Sequence, residues 1–499
     1  MLAGLNGGDR HGSAALAEGK RLIGVCAQER VTRVRGNAVP AAGLPMDALD
    51  LMLHRAGRSR QDLARYVVVD ADRGLLPAGV QVDRIDHHMA HASTAYFTSP
   101  FTSAAIVICD HESPGVSVWT GLGATMTRVD WPWSGIGFAQ AYSRVASALG
   151  FGTSAADQRL EALARLHPDA RDARVDALCA LRDGSLVVDS ALERRLEDLA
   201  HHETDAGMPQ RGRLAAAAQA RLGELLLELL AEIGGRLRAV HLCVGGSLFY
   251  HSYMNTLVKS AGLFHDVFVP VDPGNSGLAV GAALSGIGAS PVPVSPFLGP
   301  SYSSEEVKAV LDNCKLQYSW QSEEGVVAAA VGALRTGHLV GWFDGAMEWG
   351  PRALGARCIL ASPAQPYVLE NLNRFLKQRE PWRGYALSGP EQAVAEHFDG
   401  PARAPFMECD FTPKDPGRFQ HVLPTPQAAV RVHTVADDGL PRFARLLEAV
   451  GEDSGLPFLV NTSFNGFHEP MVCSPRDAVR VFYGSGLDLL VMNQFVLRK

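Results

Sequence analysis

The sequence predicts an α/β protein of two or three domains. Short apolar runs alternate with longer helical patterns, and the alternation resumes after a Pro-rich break. The length, 499 residues, divides into about two or three units at roughly 100–200 residues each. In the first part, Leu22 to Cys26, Ala104 to Cys109, His241 to Val244 and Val267 to Val271 read as strands. Asp47 to His54, Tyr142 to Leu149 and Leu214 to Ile233 read as helices, the last closed by Gly234-Gly235. The break is Ala289-Ser290-Pro291-Val292-Pro293-Val294-Ser295-Pro296, which places a boundary near residue 297 and domains at 1–296 and 297–499. Beyond it Ser303 and Glu306 are spaced as a capping box. Leu339 to Phe343, Leu456 to Val460 and Leu489 to Met492 then read as buried strands. No internal repeat is visible in the residue pattern.

Composition removes several classes of function. Hydrophobic residues make up 47% and charged residues 20%, which excludes a disordered chain. A net charge of −7 argues against nucleic acid as a partner. No apolar run reaches the roughly 18 residues a membrane span needs: Leu225 to Leu230 is broken by Glu228 and flanked by Glu224 and Glu232. Met1 to His11 has no basic flank before an apolar core, so the expectation is a cytoplasmic protein without a signal peptide. The eight cysteines contain no Cys-x-x-Cys, which leaves a zinc ribbon or thioredoxin motif unsupported. They read as small buried hydrophobes.

The first half carries a His and Asp constellation. In Asp86-His87-His88-Met89-Ala90-His91, His87 and His91 are four apart, so on a helix they share a face and can grip one metal, while His88 points elsewhere. The base Glu of a zinc protease is missing, because position 88 is His. Asp110 ends the apolar run that precedes it and is either a metal ligand or phosphate-facing acid, or a capping residue. Val244-Gly245-Gly246-Ser247 and Pro273-Gly274-Asn275-Ser276-Gly277 are tight turns that admit a nucleotide or a closely packed helix.

The second half carries cations. Arg352 and Arg357 flank a Pro/Gly turn; Lys377, Arg379, Arg383 and Arg431 follow; Asn461-Thr462-Ser463-Phe464-Asn465 adds amides and hydroxyls after an apolar run. In an acidic chain this local excess calls for an anion, with surface ion pairs as the alternative.

Together these segments resemble the O-carbamoyltransferases of the NodU/CmcH type. The blocks that carry the resemblance are His11-Gly12-Ser13-Ala14-Ala15, Gln28 to Arg33, His87 to Phe97, Met347-Glu348-Trp349-Gly350-Pro351-Arg352-Ala353-Leu354-Gly355, and Asn461 to Asn465 with Glu469-Pro470. The resemblance implies an actin/sugar-kinase-like first domain and a YrdC-like second domain, in which Lys377-x-Arg379 and Ser463-x-Asn465 match a motif. It implies carbamoyl-adenylate formation from ATP (with Mg2+) and carbamoyl phosphate at Arg352, Lys377, Arg379, Arg431, Thr462, Ser463 and Asn465. It then implies transfer to a hydroxyl of a small metabolite of natural-product type, with Asp157, Gly245 and Gly246 on the adenylate and His11 as base. The implied metal, usually iron in the family, is held by His87, His91, Asp110 and the residue at Asn275. A homodimer is one option for the assembly, which the sequence leaves open.

The chain also departs from the family pattern. Asn275 stands where the family has an Asp, Asp157-Gln158-Arg159 where it often has Glu-x-Lys, Gly36-Asn37 where a further His is common, and Tyr250-His251 where smaller residues follow the Gly pair. An amide oxygen binds a metal without charge, so weaker retention or another divalent ion is expected. Two other readings compete: threonylcarbamoyl transfer to tRNA, opposed by the absence of a basic excess, and a nucleotide-sensing module, favoured by Asn275.

Overall fold

Two five-stranded sheets in the first half share one topology. In the computed structural model, which describes residues 1–7, 11–36, 43–69, 76, 79–152, 155–201, 208–436 and 439–499, the first sheet contains β1 (Leu2–Asn6), β2 (Ser13–Glu18), β3 (Arg21–Ala27), β4 (Arg65–Val69) and β5 (Gln81–Arg84). Their order is β3-β2-β1-β4-β5. The first three form an antiparallel meander, and β4 and β5 add in parallel on the other side of β1.

The second sheet contains β6 (Ser103–Cys109), β7 (Val116–Leu122) and β8 (Thr125–Val129). A separate hairpin, β9 (Cys179–Arg182) and β10 (Ser185–Val188), precedes its last two strands, β11 (His241–Gly245) and β12 (Asp266–Phe268). Its order, β12-β11-β6-β7-β8, is again a meander followed by two parallel strands beside the first. This duplicated sheet is the actin/sugar-kinase-like arrangement expected above. The repeat that the residue pattern hides is therefore present in the topology. Leu2-Ala3-Gly4-Leu5-Asn6 and Ser103-Ala104-Ala105-Ile106-Val107-Ile108-Cys109 share apolar character and little else.

Two helices, His87–Phe97 and Leu278–Gly286, pack on each other. The first lies against β6 and β11, the second against β1, β2 and β4. A Cβ at Gly281 would sit 2.0 Å from Ala90 O, and one at Gly4 would sit 2.2 Å from Ala279 O. The small residues after the Pro273 turn thus serve close helix packing.

Among the described residues, all strands from residue 319 onward join one ten-stranded mixed sheet. Both faces of its central strands are buried. Val340, Trp342, Cys358, Leu360, Leu489 and Val491 enter one core, while Phe343, Ile359, Ala361, Leu490 and Met492 enter another. This period of two explains why these strands read as unbroken apolar runs. Residues 288–303 contain neither helix nor strand, and the Ser303 box forms, with Ser303 N–H donating to Glu306 Oε2 at 2.8 Å.

Three sequence expectations change. The helix placed at Leu214 to Ile233 spans Met208–Leu237 and runs through Gly234-Gly235, where Gly234 lies against the Phe264 ring. Glycine there weakens the helix by about 1 kcal/mol without ending it. The strand at Val267 stops at Phe268, two residues before Pro270 removes a donor. The strand placed at Leu456 to Val460 is Leu459–Ser463, so Asn461, Thr462 and Ser463 are ladder residues. Among the described residues no helix is long and apolar enough to cross a membrane.

Candidate active site

Asp86 caps the helix His87–Phe97 by accepting Met89 N–H at 3.0 Å, so His87 and His91 stand one turn apart at its start. Asp110 follows β6. His87 Nε2 lies 3.0 Å from Asp110 Oδ2, His91 Nε2 lies 3.5 Å from the same oxygen, and the two histidine nitrogens are 3.2 Å apart. A metal at about 2.1 Å from each ligand needs ligand separations of about 3.0–3.4 Å, so the three residues fit one ion. Burial pushes the Asp110 carboxyl up, but His91, His87 and Ser247 outweigh it and hold it well below the usual range. His88 points away, to Ser117 Oγ at 2.8 Å and Glu112 O at 3.2 Å.

The Gly pair serves this centre. Gly246 has φ 93°, and a Cβ on it would meet Cys109 O at 2.3 Å. That close approach lets Ser247 N–H donate to Asp110 Oδ1 at 2.8 Å. The Asn6 amide donates to His11 O at 3.2 Å and to Asn275 O at 2.8 Å, tying both backbones together. The His11 side chain is exposed and Asn275 is half-buried. Neither side chain joins the hydrogen bonds of the triad among the described residues. Asn37 lies outside the described residues.

Asp157, on the helix Ala156–Ala164, accepts Ser143 Oγ–H, with the serine oxygen 2.9 and 2.8 Å from its two carboxylate oxygens. His251 Nε2 is 3.9 Å from Asp157, and His111 lies between Ser143 and Ser247. The sequence reading gave no role to His111, Ser143 or Ser247. The position of His111 directly after Asp110 is the one signal that could have found it.

In the second half the two motifs meet. Lys377 Nζ donates to Asn465 Oδ1 at 2.6 Å, Ser463 O at 2.7 Å and Asn465 O at 3.1 Å, and Ser463 Oγ donates to Asn465 Oδ1 at 2.7 Å. Among the described residues no carboxylate lies within ion-pair distance of Lys377. Burial, with Arg379 adding, pushes its ammonium well below the lysine range. Arg379 donates to Asn373 Oδ1 at 2.8 Å and lies 3.9 Å over the Tyr385 ring. Arg352 donates to Tyr250 O at 2.8 Å; burial and then Arg431 lower its guanidinium to about 9. Thr462 pairs with Ile359 in the sheet.

Two arginines are already engaged. Arg431 pairs with Glu161 and donates to Ser252 Oγ at 2.7 Å. Arg357 is fully buried, stacks on Phe343 and donates to the carbonyls of Asp344, Gly345, Ala356 and Pro300. It is a strut of the turn, which corrects its place in the cation count. Glu348 holds the same turn by accepting Leu354, Ala356 and Arg357 N–H at 2.7, 3.2 and 3.3 Å.

Fold and site together define a duplicated α/β protein with a His and Asp triad whose geometry can hold a metal, and a desolvated cationic site. The chain belongs to the carbamoyltransferase family. Residues 79–284 match the family model for the carbamoyltransferase N-terminus, and residues 331–499 match that for the C-terminus. The chain is 28% identical to uncharacterized protein sll1178 of Synechocystis over 468 residues, covering 83% of this chain and 76% of that one. It is 30% identical to nodulation protein NolO of Bradyrhizobium diazoefficiens over 312 residues, covering 59% of this chain and 56% of that one. Among solved structures, component A of the (R)-2-hydroxyglutaryl-CoA dehydratase of Acidaminococcus fermentans aligns with 57% of this chain and 96% of its own. The TM-score is 0.38 and the identity 14%.

Proposed function

We propose that the protein is an ATP-dependent O-carbamoyltransferase that uses carbamoyl phosphate to carbamoylate a hydroxyl of a small metabolite, in natural-product biosynthesis in the cytoplasm. The observation that carries this is Lys377: a desolvated ammonium with only neutral oxygens around it, beside Arg379, in a family of carbamoyl transfer. Such a site awaits a polyanion.

Residues 297–499, as a YrdC-like domain, form the adenylate. Water releases carbamate and inorganic phosphate from carbamoyl phosphate. A carbamate oxygen then attacks the α-phosphorus of Mg2+-bound ATP and pyrophosphate leaves. Lys377, Arg379 and Arg352 neutralise the phosphates and hold the reactants together against their repulsion, with Arg431 at the junction. Thr462, Ser463 and Asn465 fix the carbamate with neutral hydrogen bonds.

Residues 1–296 carry out the transfer. Asp157, Gly245 and Gly246 seat the adenylate, the acceptor oxygen attacks the carbamoyl carbon, and AMP leaves. His11, which the family resemblance offers as base, is the candidate to take the proton of the hydroxyl. His87, His91 and Asp110, joined by Asn275, would hold iron, whose Lewis acidity polarises the adenylate when bound.

The test is incubation with ATP, carbamoyl phosphate and a panel of hydroxylated metabolites, read by mass spectrometry. AMP and a carbamate ester with at least one acceptor are expected. Absence of both, together with no carbamoyl-phosphate-dependent exchange of pyrophosphate into ATP, overturns the proposal in favour of a nucleotide-sensing role.

A further inference from the structure

We propose that Ser247, His111 and Ser143 form a directed proton path from the metal triad to Asp157, and that the acceptor hydroxyl sheds its proton along it. This rests on the reading of the triad as the transfer site, and it gives Ser247, in place of His11, the part of taking the acceptor's proton.

With Asp157 as the carboxylate and His111 as the neutral imidazole, hydrogen-bond bookkeeping fixes the direction. An ionised Asp157 only accepts, so the Ser143 hydroxyl, 2.9 and 2.8 Å from its two oxygens, must donate to it. The remaining lone pairs of Ser143 Oγ face His111 Nε2 at 2.8 Å, so Nε2 carries the ring proton. In the neutral ring Nδ1 is then an acceptor, and Ser247 Oγ, 2.7 Å away, donates to it. Every hydroxyl proton thus points toward Asp157. The far end lies at the triad, because Ser247 N–H donates to Asp110 Oδ1 at 2.8 Å. Gln140 Nε2 donates to His111 O at 2.6 Å and holds the backbone that carries the ring.

The step balances without a charged intermediate on the ring. The acceptor oxygen bonds to the carbamoyl carbon as the bond to the AMP oxygen breaks. The acceptor proton moves to Ser247 Oγ, and the proton of Ser247 moves to His111 Nδ1. The Nε2 proton moves to Ser143 Oγ, and that of Ser143 moves to Asp157. The ring exchanges one tautomer for the other. The Asp157 side chain is 23% exposed and returns the proton to water. His111 is itself exposed, so its replacement spares the core.

Two measurements decide the proposal. Long-range nitrogen–proton spectra of the full chain labelled with [15N]histidine are expected to show His111 as the Nε2–H tautomer, with that preference lost in Ser143→Ala. An Nδ1–H ring, or one indifferent to Ser143, overturns the path. The second measurement uses water as the acceptor probe and follows AMP release from ATP and carbamoyl phosphate. His111→Leu removes both hydrogen bonds. His111→Gln keeps a donor near the Nε2 position, and an acceptor beside it, but relays no proton. Both are expected to slow AMP release about tenfold or more. Restoration of the parental rate by Gln makes the ring a strut and overturns the relay. If the parent protein shows no carbamoyl-phosphate-dependent pyrophosphate exchange, the failure is that of the functional reading, and the relay falls with it. If exchange is intact and only the variants behave as parent, the relay alone falls.

Discussion

Arg431, on a strand of the second half, is ion-paired with Glu161, on a helix of the first, and Glu161 has no solvent exposure. Arg165 adds a second cation 3.0 Å from Glu161 and reaches Asp410 at 3.1 Å, while Ser252 donates to Glu161 at 3.1 Å. The two halves therefore share a buried network of two acids and two arginines. Burial raises the Glu161 carboxyl, but Arg165 and then Arg431 outweigh it and hold the group well below the carboxylate range.

Glu161→Gln strands Arg431 in a desolvated position and is expected to cost about 3–5 kcal/mol in denaturant unfolding at pH 7. The pH dependence follows from the lowered value. The folded group titrates below the unfolded one, so its stabilisation is complete above about pH 4.3 and is lost as the pH falls toward the folded value. Below that pH the parent should lose stability more steeply than the variant. Parallel acid limbs would contradict this.

Lys377→Met should separate stability from chemistry. Among the described residues no carboxylate pairs with Lys377, so removing it orphans no acid. The melting temperature is expected to stay within about 2 °C of the parent or to rise. Carbamoyl-phosphate-dependent pyrophosphate exchange is expected to fall by about 100-fold or more. Retained exchange would remove Lys377 from the adenylate-forming site.

The Asn275 carboxamide lends the triad no charge. Asn275→Asp is expected to raise the metal content of purified protein by about tenfold under dilute chelator. Elemental analysis of the two proteins side by side checks this; equal occupancy would place residue 275 outside the coordination sphere.

His433 lies in the core of the second half, 3.1 Å from Ser388 Oγ, and burial pushes its imidazole down to about 3. The unfolded chain binds a proton there near pH 6.5 and the folded chain does not. Stability at this residue is thus complete above about pH 6.5 and declines by about 1.4 kcal/mol per unit as the pH falls toward the folded value. His433→Gln should flatten that slope, and histidine proton spectra should show one ring unchanged between pH 8 and 5.

Much of the site was legible because its chemistry repeats at short spacing. His87 and His91 share a turn, Asp110 ends an apolar run, and Lys377-x-Arg379 and Ser463-x-Asn465 are tight motifs that fold onto each other. What stayed hidden depends on distant chain. Arg431 and Arg357 read as free cations until Glu161 and four carbonyls claimed them. His111 drew no role until Ser143 and Ser247, 32 and 136 positions away, came within hydrogen-bond distance of its two ring nitrogens. The sheets behave likewise: both five-stranded sheets have the same order although their strands share almost no residues, because apolar runs specify burial and not neighbours.

The matched strand orders have one more consequence. β1 and β6 hold the same position in their sheets; β1 ends in Asn6, an amide that laces loops together, and β6 leads directly into Asp110, an acid that faces two imidazoles. The architecture is written twice and the reactive centre once. One copy is free to act as frame while the other diverges, so the strand end at Asp110 can change its chemistry without the scaffold having to be invented again.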